Sequence, residues 1–379
     1  MTTTKNIQVL KPHYRIDETL SQIRECLEKG WTGIGFKTEE FEKSWISYSG
    51  FDFAHFLNSA TSALHLAFNL FKRQHKWCDG DEVITSALTF VSTNHAILYE
   101  SLTPVFADVD KSLCLDPTSV ENSITPRTRA IIFVGIGGNA ANYKKIQEIC
   151  EKHNLIFILD ASHMAGTRWS CDNSHVGLDA DCAIFSFQAV KNCPTADSGM
   201  ICFKDKSMDQ LARTFSWLGI DKSTFSRYSQ GSYKWKYDVN HLGYKYHGNS
   251  IMAAMALVSL KYLEEDNAYR RNLVEIYNHY LEDLDQISLV HHCPEAISSR
   301  HLFQILSGTR DELIDKLAEN NIFCGVHYIS NTQYSLYSRF KNNAKNAELL
   351  SAKLISLPLH LGLGEEDICF IAKKIKKYS

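Results

Sequence analysis

The chain has 379 residues, 44% of them hydrophobic and 22% charged, with 40 Lys and Arg against 43 Asp and Glu for a formal net charge of −3. That length predicts two or three domains with ample material for a core, and that balance excludes partners that demand a strongly basic chain, such as nucleic acid or an anionic membrane surface. The 11 cysteines are spread singly from Cys26 to Cys369 with no CxxC pair, which excludes zinc-ribbon and thioredoxin-type sites and fits a reducing, cytoplasmic setting. With no run of 18 apolar residues and no apolar stretch at the N-terminus, neither a membrane span nor a signal peptide is expected.

In chain order, the first chemical signal is NSATSALHLAFNLF, 58–71. Small hydroxyl residues Ser59, Thr61 and Ser62 lead into apolar positions at helical spacing. That is a helix start whose N–H groups and positive dipole end suit a phosphate, although a Ser or Thr cap by itself is usually only a cap. From about 80 to 205, short apolar runs alternate with helix-like segments such as Tyr143–His153. The runs Glu82–Thr85, Pro104–Asp108, Ala130–Val134, Ile156–Asp160, Cys182–Phe187 and Gly199–Phe203 read as strands. The alternation predicts an α/β domain with a mostly parallel sheet, where ligands gather at the carboxyl ends of strands. Phe90 follows the first of these strands and could stack on a planar ring; alone, it reads as a core Phe. Asp160 ends the fourth, where a carboxylate is costly without a cationic partner. Ser186 ends the fifth, and Lys191 follows it in a polar loop before the next apolar run. A lone lysine there would read as a surface residue.

Residues 205–250 read as largely irregular, and their second half is basic and aromatic, TFSRYSQGSYKWKYDVNHLGYKYHGNS, which points to a binding or interface role. A long helical pattern covers roughly Ile251 to Leu284. His301–Leu306, Phe323–Tyr328 and Lys353–Leu357 then read as strands, with Arg310–Asn320 and Glu365–Lys377 as helices, forming a small α+β unit. The expected division is a large α/β domain over 1–250, with an N-terminal arm, and a linking helix plus a small C-terminal α+β domain over 251–379.

A phosphate cradle, an aromatic platform, a strand-end aspartate and a loop lysine are together what pyridoxal 5'-phosphate (PLP) requires. The lysine amine condenses with the cofactor aldehyde, and the aspartate keeps the ring nitrogen protonated. No metal site is expected.

The landmarks FKTEEFEKSW (36–45), NSATSAL, GDEVITSALTFVST, TPVFADVD, ITPRTRAIIFVGIGG (124–138), ILDASHMAG, FSFQAVKNCPTADSGM, GYKYHGN (243–249), CGVHY (324–328) and LISLPLH (354–360) resemble, in order and through nearly the whole chain, the DegT-type (DegT/DnrJ/EryC/StrS) sugar aminotransferases. These are a branch of the fold type I, aspartate aminotransferase superfamily of PLP-dependent transferases. The resemblance implies that Lys191 bonds the cofactor, Asp160 partners its ring nitrogen, Phe90 stacks on the ring and His163 lies near its phenolic oxygen. It places Thr61, Ser62 and Ser186 on the phosphate. Lys245 stands where relatives carry an asparagine that reaches a neighbouring subunit's phosphate. Substrate contacts are expected from Gln188, His327 and Tyr328, and from Arg227 and Tyr233 in the basic-aromatic segment.

The chain departs from the family pattern at several points. Ala196-Asp197-Ser198-Gly199 replaces Gly-Glu-Gly-Gly, Ala60 replaces a glycine, Gln188 a common histidine, His247 an arginine and Ser250 an acidic residue. The presence of Lys191 favours transamination over the dehydration carried out by relatives that lack the lysine.

The implied activity moves an amino group, with L-glutamate as donor and pyridoxamine 5'-phosphate as the intermediate cofactor form, to a keto-sugar that is nucleotide-linked. The product would enter surface polysaccharide such as lipopolysaccharide O-antigen, or a glycosylated metabolite. A homodimer with shared active sites is expected. Transamination of a non-nucleotide sugar or cyclitol ketone stays open as an alternative, as do a sugar dehydratase and a non-catalytic PLP-binding regulator.

Overall fold

The structure, a computed structural model, describes residues 6–220, 237–340 and 343–379. A seven-stranded sheet is built from β1 (Phe53–Leu57), β2 (Glu82–Ser86), β3 (Thr103–Ala107), β4 (Thr128–Val134), β5 (Ile156–Asp160), β7 (Cys182–Ser186) and β8 (Gly199–Phe203), with β6 (Arg168–Trp169) lying outside it. The spatial order is β1-β8-β7-β5-β4-β2-β3. The run β7-β5-β4-β2-β3 is parallel; β8 is reversed against β7, and β1 beyond it, antiparallel to β8, runs in the direction of the parallel set. The α/β class with a mostly parallel sheet is therefore as expected.

The strands read as continuous apolar runs because helices cover both faces of the sheet. Along β4, Ile131 and Phe133 enter one core with Phe41, Trp45 and Phe185, while Ala130 and Ile132 enter the other with Leu64, Phe68 and Ile184. A one-residue slip would exchange the two sets. Beyond it, β9 (Ile287–Leu289), β10 (Ala296–Ile297), β11 (Phe303–Ser307) and β12 (Leu354–Leu357) follow, and β12-β11-β9 form a three-stranded antiparallel sheet. That sheet packs its own core, with Ile305, Leu313 and Ile371 against Leu273 and Tyr277 of the helix Leu263–Leu281.

The predicted strands of the large sheet lie within two residues of the observed ones, but four readings need correction. β1 was not anticipated. It pairs antiparallel with β8, Leu57 opposite Gly199. Within the segment expected to be irregular, Lys206–Ser216 is a helix. Asp205 caps it by accepting from the Ser207 N–H at 2.6 Å, and Met208, Ala212 and Phe215 fall on its buried side. The long helix over 251–284 is broken at Tyr262 into Ser250–Lys261 and Leu263–Leu281. Phe323–Tyr328 is not a strand. It meets β12 through a single antiparallel bridge, Gly325 to Ser356, then leaves, because side chains take over its bonding: the Ser356 hydroxyl holds His327 Nδ1 at 2.9 Å and Gln304 Nε2 donates to the His327 carbonyl at 2.7 Å.

The N-terminal segment is strapped across the molecule. Ile7 exchanges backbone bonds with Asn321 and Phe323, at 2.9 and 2.8 Å, and the Val9 carbonyl accepts from Leu359 at 3.1 Å. The Tyr14 hydroxyl donates to the Thr195 carbonyl at 2.9 Å, and Arg15 grips Asp266 with two bonds of 2.6 Å each. Among the described residues, no helix is long and apolar enough to cross a membrane.

Several chain crossings meet at one edge of the large sheet. β4, β5 and β7 end there in Val134, Asp160 and Ser186, β8 begins there at Gly199, and β1 ends there just before the helix Ala60–Gln74. Gly199 makes this convergence possible. A Cβ at 199 would lie 2.5 Å from the Ala60 nitrogen and 2.6 Å from the Ser59 carbonyl carbon, and both contacts are backbone that cannot swing away. Gly199→Ala is expected to lower stability by about 1–3 kcal/mol through overpacking. Urea unfolding measures this, and an unchanged midpoint would mean the helix start yields freely.

Candidate active site

The sheet edge opens into a cavity of about 460 Å³, a size that suits a bound organic cofactor. One wall is the start of the helix Ala60–Gln74. Ser59 is its N-cap: the Ser59 hydroxyl accepts from the Ser62 N–H at 3.0 Å, and its carbonyl accepts from the Ala63 N–H at 3.2 Å. The N–H groups of Ala60 and Thr61 precede any possible intrahelical partner and have no acceptor among the described residues. They stand at the positive end of the helix dipole. Ser59, Ala60, Thr61 and Ser186 all line the cavity. Ser62 does not. Its hydroxyl is turned to Asn58 Oδ1 at 2.7 Å and to the Ser59 carbonyl at 2.8 Å, so the sequence expectation for this residue finds no support in the geometry.

Asp160 is buried at the end of β5. Its Oδ2 accepts from the Thr93 hydroxyl at 2.7 Å and its Oδ1 from the Ser162 N–H at 3.1 Å. Both donors are neutral, and among the described residues no cationic side chain pairs with it. Lys191 lines the same cavity, half-buried, and its ammonium has no hydrogen-bond acceptor among the described residues. Burial pulls its pKa down from 10.5 to about 8, with the Asp160 charge acting in the opposite direction. The cavity thus holds a buried carboxylate and an amine whose pKa lies well below that of an ordinary lysine, with no hydrogen bond or ion pair between them, and Asp197 adds a second acid to the lining.

His163 completes the floor. Its Nδ1 accepts the Gly137 N–H at 3.1 Å, so the ring proton resides on Nε2, which lies 3.2 Å from the Tyr328 hydroxyl. Burial, with the Lys191 charge adding to it, holds the His163 pKa well below the usual histidine range, and the ring is neutral. Tyr328 stacks on His163 at 6.1 Å between centroids and approaches Phe90 at 5.8 Å. Phe90 is the N-cap residue of the helix Val91–Tyr99, and 56% of it is exposed. A large ring left that open on a cavity wall is a platform for another planar group. Gln188 and His327 also line the cavity. Burial lowers His327 to about 4, so it too is neutral near pH 7.

Sequence reasoning overlooked Thr93, Asn192 and His301. Asn192 follows Lys191 and is clamped: its Nδ2 donates to Asn267 Oδ1 and to the Ser299 carbonyl, both at 2.7 Å, and its Oδ1 accepts from His301 Nδ1 at 2.9 Å. The His301 ring lies 4.3 Å from the His163 ring. Thr93 sits three positions after Phe90, one helical turn on, which was the available clue to its proximity.

Lys245 does not line its own chain's cavity; its ammonium lies 3.6 Å from the centroid of the Trp217 ring. Arg227 and Tyr233 fall outside the described residues. Among the described residues no group of three or more His, Cys, Asp or Glu is placed to hold a metal ion. The residues that meet at the cavity fit PLP: free helix-start N–H groups for a phosphate, an unpaired buried carboxylate for a ring cation, an open aromatic face and an amine ready to be nucleophilic.

The family model of the DegT/DnrJ/EryC1/StrS aminotransferases matches residues 14–376. The chain is 31% identical over 372 residues to the spore coat polysaccharide biosynthesis protein SpsC of Bacillus subtilis, covering 95% of this chain and 94% of that one. Among solved structures it is similar, at a TM-score of 0.90 and 28% identity over 99% of both chains, to Helicobacter pylori PseC, an aminotransferase involved in the biosynthesis of pseudoaminic acid. It is also similar to Spr1654 of Streptococcus pneumoniae in its PMP-form, at a TM-score of 0.91 and 26% identity over 98% of this chain and 99% of that one. A PLP-form of Spr1654 matches as well.

The lowered pKa of Lys191 has a direct readout. Only the neutral amine reacts with an electrophile, so reductive methylation of Lys191 in cofactor-free protein, followed by peptide mass spectrometry, is expected to rise with pH about a midpoint near 8, the value burial gives it. An ordinary lysine is still gaining reactivity above pH 10. A Lys191 midpoint in that higher range would show that burial does not act on this amine.

Proposed function

The chain belongs to the DegT/DnrJ/EryC1/StrS aminotransferase family, and we propose that it is a cytoplasmic, PLP-dependent enzyme that moves an amino group from L-glutamate to the ketone of a nucleotide-linked deoxysugar. The product would serve amino-sugar or surface polysaccharide synthesis. The observation that carries the reading is the separation of Asp160 and Lys191 across one cavity, between a helix start with free N–H groups and the open face of Phe90. The choice of glutamate and of a nucleotide-linked sugar rests on likeness to the family and on the basic-aromatic segment of the sequence.

When bound, PLP supplies an aldehyde that takes up amino groups and a ring that accepts electrons. Asp160 would hold a protonated ring nitrogen, since it lacks any other cationic partner, with Thr93 and the Ser162 N–H fixing the carboxylate. The Ala60 and Thr61 N–H groups and the Ser186 hydroxyl would hold the phosphate, and Phe90 would cover the ring. His163 would offer its Nε2 proton as a donor. Lys191, titrating near 8, is suited to taking a proton from the donor carbon beside the amine and returning it, as general base and then acid. Neutral His163 and His327 add no positive charge that would compete with it.

Half-reactions test the activity. Glutamate added to the PLP-loaded protein should bleach the aldehyde absorbance, and after its removal a nucleotide-linked keto-sugar should restore it, while the free sugar should not. Restoration by the free sugar alone would favour the non-nucleotide reading. Lys191→Ala should slow the bleaching by about 10²–10⁴-fold for the lost acid–base function. Turnover within tenfold of wild type would remove the residue from this role.

Lys245 would serve the phosphate of a second subunit in a homodimer. It is exposed and outside its own cavity, and nearby Tyr237, Val239 and Leu242 leave apolar surface open, Leu242 to 87%. That is a pattern of interface surface. Mixing Lys191→Ala chains with Lys245→Glu chains, each inactive by itself, should restore part of the activity, because one site of the mixed dimer has both lysines. No recovery at any ratio, with mixed dimers demonstrated, would show that each subunit builds its site alone.

A further inference from the structure

Behind Lys191 lies a second cluster that the activity proposed above does not use. Arg270, on the helix Leu263–Leu281, is only 8% exposed. Its guanidinium makes one hydrogen bond, a long one of 3.5 Å to Asn267 Oδ1, so the rest of its five N–H donors have no acceptor among the described residues. The neighbouring carboxylate, Asp266, is committed elsewhere: both its oxygens accept from Arg15, at 2.6 Å each. Two guanidinium groups therefore share one carboxylate, and the triad carries a net positive charge in buried surroundings. The exposed Glu265 favours the charged form of Arg15.

Arg270 lines a chamber of about 10 Å³, room for one occupant of roughly water size. Lys11, His13, Lys191 and His301 share the lining, and Asp266 is the sole acid in it. Burial and the charge of Arg15 draw the Arg270 pKa down to about 10, against the pull of Asp266. A guanidinium so placed is expensive unless both its N–H groups and its charge are answered. A water molecule answers the first need. A small anion answers both.

We propose that this chamber binds a monovalent anion of the halide class against Arg270. The bound ion closes the charge count of the Arg15–Asp266–Arg270 triad and ties together the chain segments that meet at the chamber, 10–13, 190–194 and 359–361. Val190 and Lys191 line both this chamber and the cavity that would hold the cofactor.

The test uses the full chain with cofactor bound, bromide as probe, and no turnover measurement, so it stands or falls separately from the activity. Crystals soaked in sodium bromide should show an anomalous peak at the Arg270 guanidinium. In solution, the melting temperature should rise saturably with bromide, relative to sodium gluconate at equal ionic strength. The rise should vanish in Arg270→Met. In Arg15→Met, which releases Asp266 to neutralise Arg270, bromide should bind at least tenfold more weakly. If Arg270→Met does not fold, the wild-type crystal and Arg15→Met decide the matter. Water at the guanidinium, bromide peaks confined to exposed lysines (an adventitious ion only), a melting curve that treats bromide and gluconate alike, or undiminished bromide binding in Arg15→Met would each overturn the proposal.

Discussion

A buried carboxylate that is hydrogen-bonded but not neutralised is the constraint around which this molecule is arranged. Asp160 sits at the end of β5, where the surrounding core makes charge expensive. Thr93 and the Ser162 N–H satisfy its lone pairs without cancelling its charge. A lysine on the same cavity would ordinarily swing over and pair with it, and both groups would then be quenched. Here the residue after that lysine is locked: Asn192 is held by Asn267, Ser299 and His301, which belong to two distant parts of the chain. The chain beside Lys191 is thus anchored, and Lys191 and Asp160 line one cavity without a hydrogen bond between them.

That arrangement requires several chain crossings at one sheet edge, and the edge tolerates little side-chain volume. Gly199 starts β8 against the helix start. Gly135 is equally confined, since a Cβ there would lie 1.9 Å from Met164 Sδ. Gly137 serves through its backbone: its N–H fixes the His163 tautomer, and its carbonyl accepts from the His301 N–H at 3.2 Å. Main chain therefore fixes the tautomer of the histidine floor, while burial and the nearby Lys191 charge keep the ring neutral.

How much of this was legible in the sequence depended on how local the determinant is. Asp160 is legible because it ends an apolar strand run, and Lys191 because it lies in the polar loop between two such runs; both are local properties. Phe90 was read from its place after β2, and the structure does leave its ring open. For Ser62 the geometry gives no support, because which hydroxyl of the run Ser59, Thr61, Ser62 faces a ligand depends on which residue caps the helix. Once Ser59 is the cap, Ser62 turns to Asn58. Thr93, Asn192 and His301 act through partners 67, 75 and 109 positions away, contacts that no periodicity announces. Phe323–Tyr328 reads as a strand from its apolar residues, but side-chain bonds from Ser356 and Gln304 take the place of a ladder there. The helix Lys206–Ser216 was passed over although Asp205 and the spacing of Met208, Ala212 and Phe215 signal it in full.

The N-terminal strap has a practical side. Between Ile7 and Arg15 the chain touches the small sheet's unit through Asn321, Phe323 and Leu359, the lysine loop through Thr195 and the connecting helix through Asp266. It therefore works as a tether that ties these parts together. An affinity tag fused close before Ile7, or a shortened version of the chain starting after Arg15, would alter how stiffly the lysine loop is held against the small sheet. Purification handles for this protein belong at the other end, beyond the helix Glu365–Tyr378.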